Sequence, residues 1–342
     1  MKIVTLDDLA QIVKQHTFDK FVLDLISYLK NDFGNWESFV KMPRPAIHVE
    51  GGVIEVMPTA NKQYYTFKYV NGHPKNPLNN KLTVVGTGQI SHIDNGYPLM
   101  FSEMTLLTAF RTAATAALAT DLLAKKNSTT MAIIGTGAQS EFQVLSQCLV
   151  RNISTLRYFD IDQHAMNKFK QNIANRAPQL ELIECNNPQN AIVGADIITV
   201  CTAVKGHKKV LESDWIIPGT HINGLGGDGP GKTELDLNIL YKSKVVIEFL
   251  PQTKIEGEIQ QLSDEEINKV VYAELWELVT QKKPSRQNNA EITLFQSVGF
   301  AIEDFSALRL VYDLACKYNL GRNLNIIPQL KDPKNLIALL DI

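Results

Sequence analysis

"MAIIGTGAQSEFQVLSQCLV", residues 131–150, is the stretch on which the reading of the fold turns. A short apolar run with the texture of a buried strand meets Gly135-Thr136-Gly137, and an amphipathic helical pattern starts directly afterwards. Gly135 permits the tight turn. Gly137 lets the backbone approach a pyrophosphate, which then rests on the free N–H groups of the helix. Ser140 stands where the usual dinucleotide fingerprint has its third glycine, and it is small enough for close helix–strand packing. A two-glycine turn is weak evidence alone. Asp160 strengthens it: it closes the next apolar run in "RYFDID", about twenty residues on, where a ribose diol needs an acid. The same carboxylate repels a 2′-phosphate, so the expected cofactor is NAD rather than NADP.

Downstream, "TLRYFDI", "LELIE", "DIITVCT", "HINGLG" and "KVVIEFL" repeat the theme of short apolar runs separated by helical or loop segments. That alternation predicts a doubly wound parallel sheet of the Rossmann kind. Upstream the texture differs. "GGVIEVMP", "YYTFKYV", "KLTVVGTGQISHI" and "YPLMFSE" follow one another without helices between them, and "DNG" at 94–96 is a hairpin signal, which together predict an antiparallel sheet. Residues 5–40 read as helical, with Thr5 as cap, Asp7 and Asp8 in the first turn, and Leu9, Ile12 and Val13 on one face. A long helix is expected from near Glu103 to Ala124. Another from Gly299 to about Leu320 is able to return to the first domain, making that domain discontinuous.

The 342 residues suit two domains, and 44% hydrophobic, 20% charged and 8% aromatic residues describe an ordinary globular chain. A formal net charge of −2 gives no footprint for nucleic acid or a membrane surface. The N-terminus carries Asp7, Asp8 and Lys14 where an export signal would be apolar, so a cytoplasmic protein is expected. "TLLTAFRTAATAALATDLLA" is interrupted by Arg111 and Asp121 and reads as a buried helix, not a membrane span. Cys148, Cys185, Cys201 and Cys316 are scattered and the histidines do not cluster, so no metal site is expected.

"GGDGPGKT", residues 226–233, matches a phosphate-binding P-loop letter for letter. The match fails on chemistry: Asp228 puts a carboxylate inside the nest and Pro230 removes a donor. "KVVIE" at 244–248 offers a Walker B mimic, and a strand and a helix are expected to flank the loop. The loop nonetheless falls at the C-terminal end of a later strand of the same sheet, where substrate meets cofactor. Asp228 and Lys232 there read as reaction chemistry. Four further charges are out of place: Lys68 on the Thr66–Val70 face, Arg111 inside the apolar helix, Arg44 between two prolines, and Glu55 beside Val53 and Met57. Singly, a solvated side chain or a buried ion pair accounts for each. Together they offer cations for a carboxylate and an anion for an ammonium, the makings of an amino-acid pocket.

These stretches carry a resemblance. "VIEVMP", "FKYVNGHP", "LMFSEMTLLTAFRTAATAALA", "IGTGAQSEFQ", "NGLGGDGPGKTELD", "EFLPQTKIEGEIQQL" and "FQSVGFAIEDFSALR" make the chain similar, over nearly its whole length, to the ornithine cyclodeaminase and mu-crystallin family. The resemblance implies an α/β protein. A discontinuous α+β substrate-binding and dimerisation domain (1–112, completed by 305–342) is joined to a Rossmann domain holding NAD (113–304). It implies a homodimer acting on a small amino acid, L-ornithine, to give L-proline and ammonia. Arg44, Lys68 and Arg111 would hold the substrate carboxylate, Asp228 would be the catalytic carboxylate, Glu55 would meet the distal amine, and Val298 would line the pocket. Thr83, Arg111, Gly135, Gly137, Ala138, Gln139, Asp160, Thr202, Gly224, Leu225, Lys232 and Ser297 fall on cofactor-contacting positions.

Ornithine to proline is redox-neutral overall, but expelling an amine directly from an sp³ carbon is hard. A nicotinamide that takes a hydride from Cα and later returns it makes the carbon reactive in between. Asp228 would accept a proton from an ammonium and return it to the leaving amine. The same scaffold also implies rivals: amino-acid dehydrogenases, lysine cyclodeaminases, cyclic imine reductases and mu-crystallin-like binding proteins. The presence of Glu55 and Asp228 favours the cyclodeaminase.

Overall fold

The computed structural model describes residues 1–203, 206–227 and 229–340. The chain opens with β1 (Lys2–Val4), and Thr5 then caps α1 (Leu6–His16). Thr5 and Asp8 form a reciprocal capping box, each accepting the other's backbone N–H. Thr17, at φ 67°, ends that helix and caps the next, so the helical region expected over 5–40 is broken before α2 (Phe18–Gly34). Four long or medium strands follow a short one: β2 (Ala46–Val49), β3 (Gly52–Ala60), β4 (Tyr64–Gly72), β5 (Val84–His92) and β6 (Pro98–Glu103). Then come α3 (Thr105–Leu123), β7 (Thr130–Ile134), α4 (Ser140–Val150), β8 (Thr155–Phe159), α5 (Gln163–Arg176), β9 (Glu181–Glu184), α6 (Pro188–Ile192) and β10 (Ile197–Val200). The second half continues with β11 (His207–Leu211), β12 (His221–Gly224), β13 (Thr233–Leu235), α7 (Leu237–Lys242), β14 (Lys244–Ile247) and α8 (Leu250–Glu256). It closes with α9 (Asp264–Val270), β15 (Val271–Glu274), α10 (Leu275–Val279), β16 (Thr293–Gln296), α11 (Ala301–Lys317) and β17 (Arg322–Asn323).

The strands form two main sheets. The first has the order β17-β1-β6-β5-β4-β3-β2, antiparallel except for the parallel pair β1–β6. The second is wholly parallel, in the order β15-β14-β16-β12-β10-β7-β8-β9. From β9 to β12 this is the Rossmann winding, with the strand order reversing between β7 and β10, beside the Gly135 turn. Every downstream apolar run read as a strand is one. The sequence reading lacked β15 and β16, four-residue strands too short to show a period, and β16 is the one that slots between β12 and β14.

Helix α3 is the spine between the halves. It packs on β5 of the first sheet and on β12 and β16 of the second, with α2, α4 and α11 around it. It is long and apolar enough to cross a membrane by composition, but most of it is buried inside the protein, as an all-round apolar helix requires. Helix α11 lies across β3, β4 and β5 and against α2, so the chain does return to the first sheet after the second. The lines at 112/113 and 304/305 pass through α3 and α11 themselves.

A buried histidine pins α3 to the parallel sheet. His221 in β12 has no exposed surface; its ring meets Thr293 Oγ1 at 2.9 Å and, from Nε2, Thr120 Oγ1 at 3.1 Å and Asn223 Oδ1 at 3.2 Å. Burial, reinforced by the Arg286 charge, pushes its pKa down to about 3 from the ordinary 6.5. The folded protein keeps this ring neutral, so its contribution is complete above pH 6.5 and is lost as pH falls from there toward 3. Urea denaturation should show unfolding free energy falling between pH 6 and 4 by about 1.4 kcal/mol per pH unit from this group. His221→Gln should flatten that slope by the same amount; parallel slopes would contradict the assignment.

Candidate active site

The three out-of-place cations come together where β4, α3, α11 and the C-terminal ends of β14 and β16 meet. Lys68, on the inner face of β4, has no exposed surface and donates to Asp304 Oδ1 at 2.8 Å. The same oxygen lies 3.2 Å from Arg111 Nε, and Arg111 Nη1 donates to Glu303 Oε2 at 2.6 Å. Arg44 is held by the extended segment before β2. Its backbone N–H donates to Gln252 Oε1, and its guanidinium pairs with Glu55 at 3.0 Å and with Glu256 at 3.1 Å. It also donates to the carbonyls of Val298 and Gly299. Thus Arg44, Lys68, Arg111, Glu55 and Val298 form one cluster, all of them buried or nearly so.

Its electrostatics are set by desolvation first. Burial drives the Lys68 ammonium down to about 8, helped by Arg111 and opposed by Asp304. Burial works against the Arg111 charge as well, but Asp304 and Glu303 overcome it and hold Arg111 above the usual range. Burial and the neighbouring Glu248 push the Glu303 carboxyl well above the carboxylate range. Three polar atoms in the cluster, Arg44 Nε, Arg111 Nε and Asp304 Oδ2, are buried with no hydrogen-bond partner among the described residues. Such atoms are costly unless something polar meets them. The cluster has unused capacity for a ligand.

The glycine turn lies along the same edge of the parallel sheet. Gly135 has φ +95°, and a Cβ there would stand 2.9 Å from the Cys201 carbonyl group, so only glycine fits. Gly137 and Ala138 are exposed, and a Cβ on Gly137 would meet nothing. Gln139 at the start of α4 makes no side-chain capping bond, leaving the helix N-terminus open to an anion. Asp160 Oδ2 accepts from Thr136 N–H at 2.6 Å and its hydroxyl at 3.1 Å, and Oδ1 from Asp162 N–H at 3.0 Å. The carboxylate is therefore fixed at the turn. These residues fit a dinucleotide. Gly224, Leu225, Thr202 and Ser297 line up at the ends of β12, β10 and β16, where Ser297 N–H donates to Gly224 O at 3.0 Å. Thr83 directly precedes β5; its carbonyl accepts from His73 N–H, and its side chain makes no hydrogen bond among the described residues.

The P-loop lookalike is built differently from a phosphate nest. Thr233 begins strand β13, paired with β11, so the loop runs into a strand and helix α7 comes only afterwards. The expected helix at the loop's exit is absent for that reason. Asp228 itself lies outside the described residues. Its flanks are clamped by the short helical turn Glu258–Gln261. Glu258 accepts from Glu234 N–H at 2.9 Å and Leu235 N–H at 3.2 Å; burial, with Glu234 nearby, raises its pKa to about 7. Gln260 accepts from Gly231 N–H at 2.6 Å and donates to the carbonyls of Gly229 and Lys232, each at 3.2 Å. Glu234 accepts the Thr202 hydroxyl at 2.5 Å, joining this loop to the segment that follows β10.

Sequence reasoning missed the acids. Glu303 and Asp304 carried a readable signal, an acidic pair inside the otherwise apolar "GFAIEDFSALR", the counterpart of Arg111 in α3. Glu248 was weighed only as a Walker B mimic, and Glu256, Glu258 and Gln260 gave no signal at all.

Comparison with known proteins gives the family. The Ornithine cyclodeaminase/mu-crystallin family profile matches residues 7–319. The chain belongs to that family. It is 45% identical over 337 residues to an ornithine cyclodeaminase of Agrobacterium fabrum, covering 98% of this chain and 94% of the relative. Among solved structures, a lysine cyclodeaminase studied for recognition of L-lysine, L-ornithine and L-2,4-diaminobutyric acid superposes with a TM-score of 0.91 at 28% identity, covering 99% of each chain. The Thermococcus litoralis Δ1-pyrroline-2-carboxylate reductase, solved with NADH and L-proline, superposes with a TM-score of 0.88 at 30% identity, covering 95% of this chain and 100% of its own.

The clamp on the loop predicts a local effect. Gln260→Ala removes the acceptor of Gly231 N–H, so amide exchange at Gly231 and Lys232 should accelerate about tenfold while β7 and β12 keep their protection. Unchanged exchange over 229–232 would show that Gln260 does not hold the loop.

Proposed function

We propose that the protein converts L-ornithine into L-proline and ammonia. The chain is an NAD-dependent ammonia-lyase of its family. When bound at the Gly135 turn, NAD supplies a hydride acceptor and donor for the substrate's Cα. The protein's own groups bind, orient and move protons. Arg44, Lys68 and Arg111 hold the carboxylate, fixing Cα toward the ends of β12 and β16. Asp228 takes a proton from an ammonium and returns it to the departing amine.

One observation carries the choice of a diamino acid: the buried ion pair between Arg44 and Glu55. Ornithine brings a carboxylate for Arg44 and a distal ammonium for Glu55. Its binding exchanges one buried pair for two, and no charge is stranded. A monoamino acid takes Arg44 and leaves Glu55 buried without a partner, a cost of several kcal/mol when one member of a buried pair is lost.

The protein acts as a homodimer in this reading. The outer face of the first sheet presents Ile47, Val56, Tyr65, Tyr69 and Val85, all exposed, on adjacent strands. A contiguous apolar face of this kind calls for a partner, and a second copy supplies the matching surface.

Two outcomes check the reading. Asp228→Asn should abolish release of proline and ammonia from ornithine while NAD still quenches protein fluorescence; retained turnover removes Asp228 from its role. The pH dependence follows from Lys68, whose charge is present below about 8 and lost above it. Affinity for L-proline, whose ring amine titrates well above this window, should fall about tenfold between pH 7 and 9, the worth of one charge-assisted bond. A flat profile would mean that Lys68 does not hold the carboxylate.

A further inference from the structure

Glu248 follows β14 directly and has no exposed surface. Its carboxylate accepts from three consecutive residues. Oε1 takes the Ser297 hydroxyl at 2.5 Å; Oε2 takes the N–H of Val298 at 2.9 Å and of Gly299 at 2.8 Å. These residues join the end of β16 to α11. While their N–H groups face Glu248, the carbonyls of Val298 and Gly299 accept from Arg44 Nη2 on the other side. Gly299 also lies directly against Arg111. At φ +83° it has no side chain, and a Cβ there would stand 2.6 Å from Arg111 Nη1. One three-residue turn thus bonds Arg44 and leaves room for Arg111, and one carboxylate fixes the turn.

We propose that Glu248 is a positioning residue for the carboxylate site, acting through the 297–299 turn on the guanidinium of Arg44. Through Ser297 it ties that setting to the end of β16, and in this it rests on the reading of the cluster as the substrate anchor. The position demands an acceptor. An ionised carboxylate has lone pairs for all three donors and makes charge-assisted bonds with them. Glutamine keeps an oxygen for the two amides and an NH₂ for Ser297 Oγ, so the geometry survives on weaker bonds. Methionine fills the volume and strands two buried N–H groups.

The test is a cycle of steady-state kinetics with L-ornithine at saturating NAD, using wild type, Glu248→Gln, Glu248→Met, Arg44→Lys and the Arg44→Lys/Glu248→Met double variant. Glu248→Met should raise KM for ornithine about tenfold or more, and Glu248→Gln by no more than about threefold, with an unchanged Tm. On the Arg44→Lys background, Glu248→Met should add little, because the group it acts through is already displaced. Wild-type KM in Glu248→Met, or effects of the two substitutions that multiply independently, would overturn the proposal. If the methionine protein does not fold, the cycle runs with Glu248→Gln, whose smaller KM effect must vanish with Arg44→Lys. A wild type that makes no proline from ornithine would instead overturn the proposed function, and L-proline affinity then carries the same comparison.

Discussion

The structure depends on the sharing of one carboxylate oxygen, Asp304 Oδ1, between Lys68 of β4 and Arg111 of α3. Three elements from distant parts of the chain are joined at that atom. Burying charges is expensive, and a well-packed apolar cluster would do as well for stability alone. Removing one partner is worse still, because it leaves the other charge bare. The network therefore keeps two cations buried and fixed in place at the seam of two sheets, and the Glu55 and Glu256 pairs do the same for Arg44. Cations so held interact more strongly with an anion than solvated ones do.

The Rossmann half supplies the second constraint. The parallel sheet brings the ends of β7, β10, β12, β16 and β14 to one edge, so the glycine turn, Thr202, Gly224, Ser297 and Glu248 all lie along it. Neither sheet alone makes the site. Glu256 and Gln252 of α8 reach across to Arg44, and Glu303 and Asp304 of α11 reach back to Arg111 and Lys68. The cationic cluster is assembled from both halves, beside the edge that carries the glycine turn.

Much of this was legible in the sequence. The Gly135 turn and Asp160 declared themselves through local chemistry, since glycine at positive φ and an acid at a strand end act within their own neighbourhood. Lys68 and Arg111 were visible because a charge inside an apolar pattern is anomalous wherever it sits, and Arg44 because two prolines hold it in a rigid extended segment. The acids that hold them were less visible. Glu303 and Asp304 lie at the start of a helix, where acids are ordinary, and their meaning comes only from α3 packing against them. Glu248 bonds to a turn fifty residues away, a relation no spacing rule encodes. The P-loop match showed the opposite failure: letters agreed, but the residues after Lys232 pair as a strand, and backbone course decides whether glycines form a phosphate nest.

The central claim is that Cα of the substrate gives up a hydride and receives the same one back. The direct measurement is turnover of L-ornithine deuterated at Cα, with NAD present in far less than stoichiometric amount, followed by mass analysis of the proline. The account predicts many turnovers per NAD, no lasting absorbance of NADH, and proline that retains the deuterium at Cα. Accumulation of NADH in step with product, or proline that has lost the label to solvent, would contradict it.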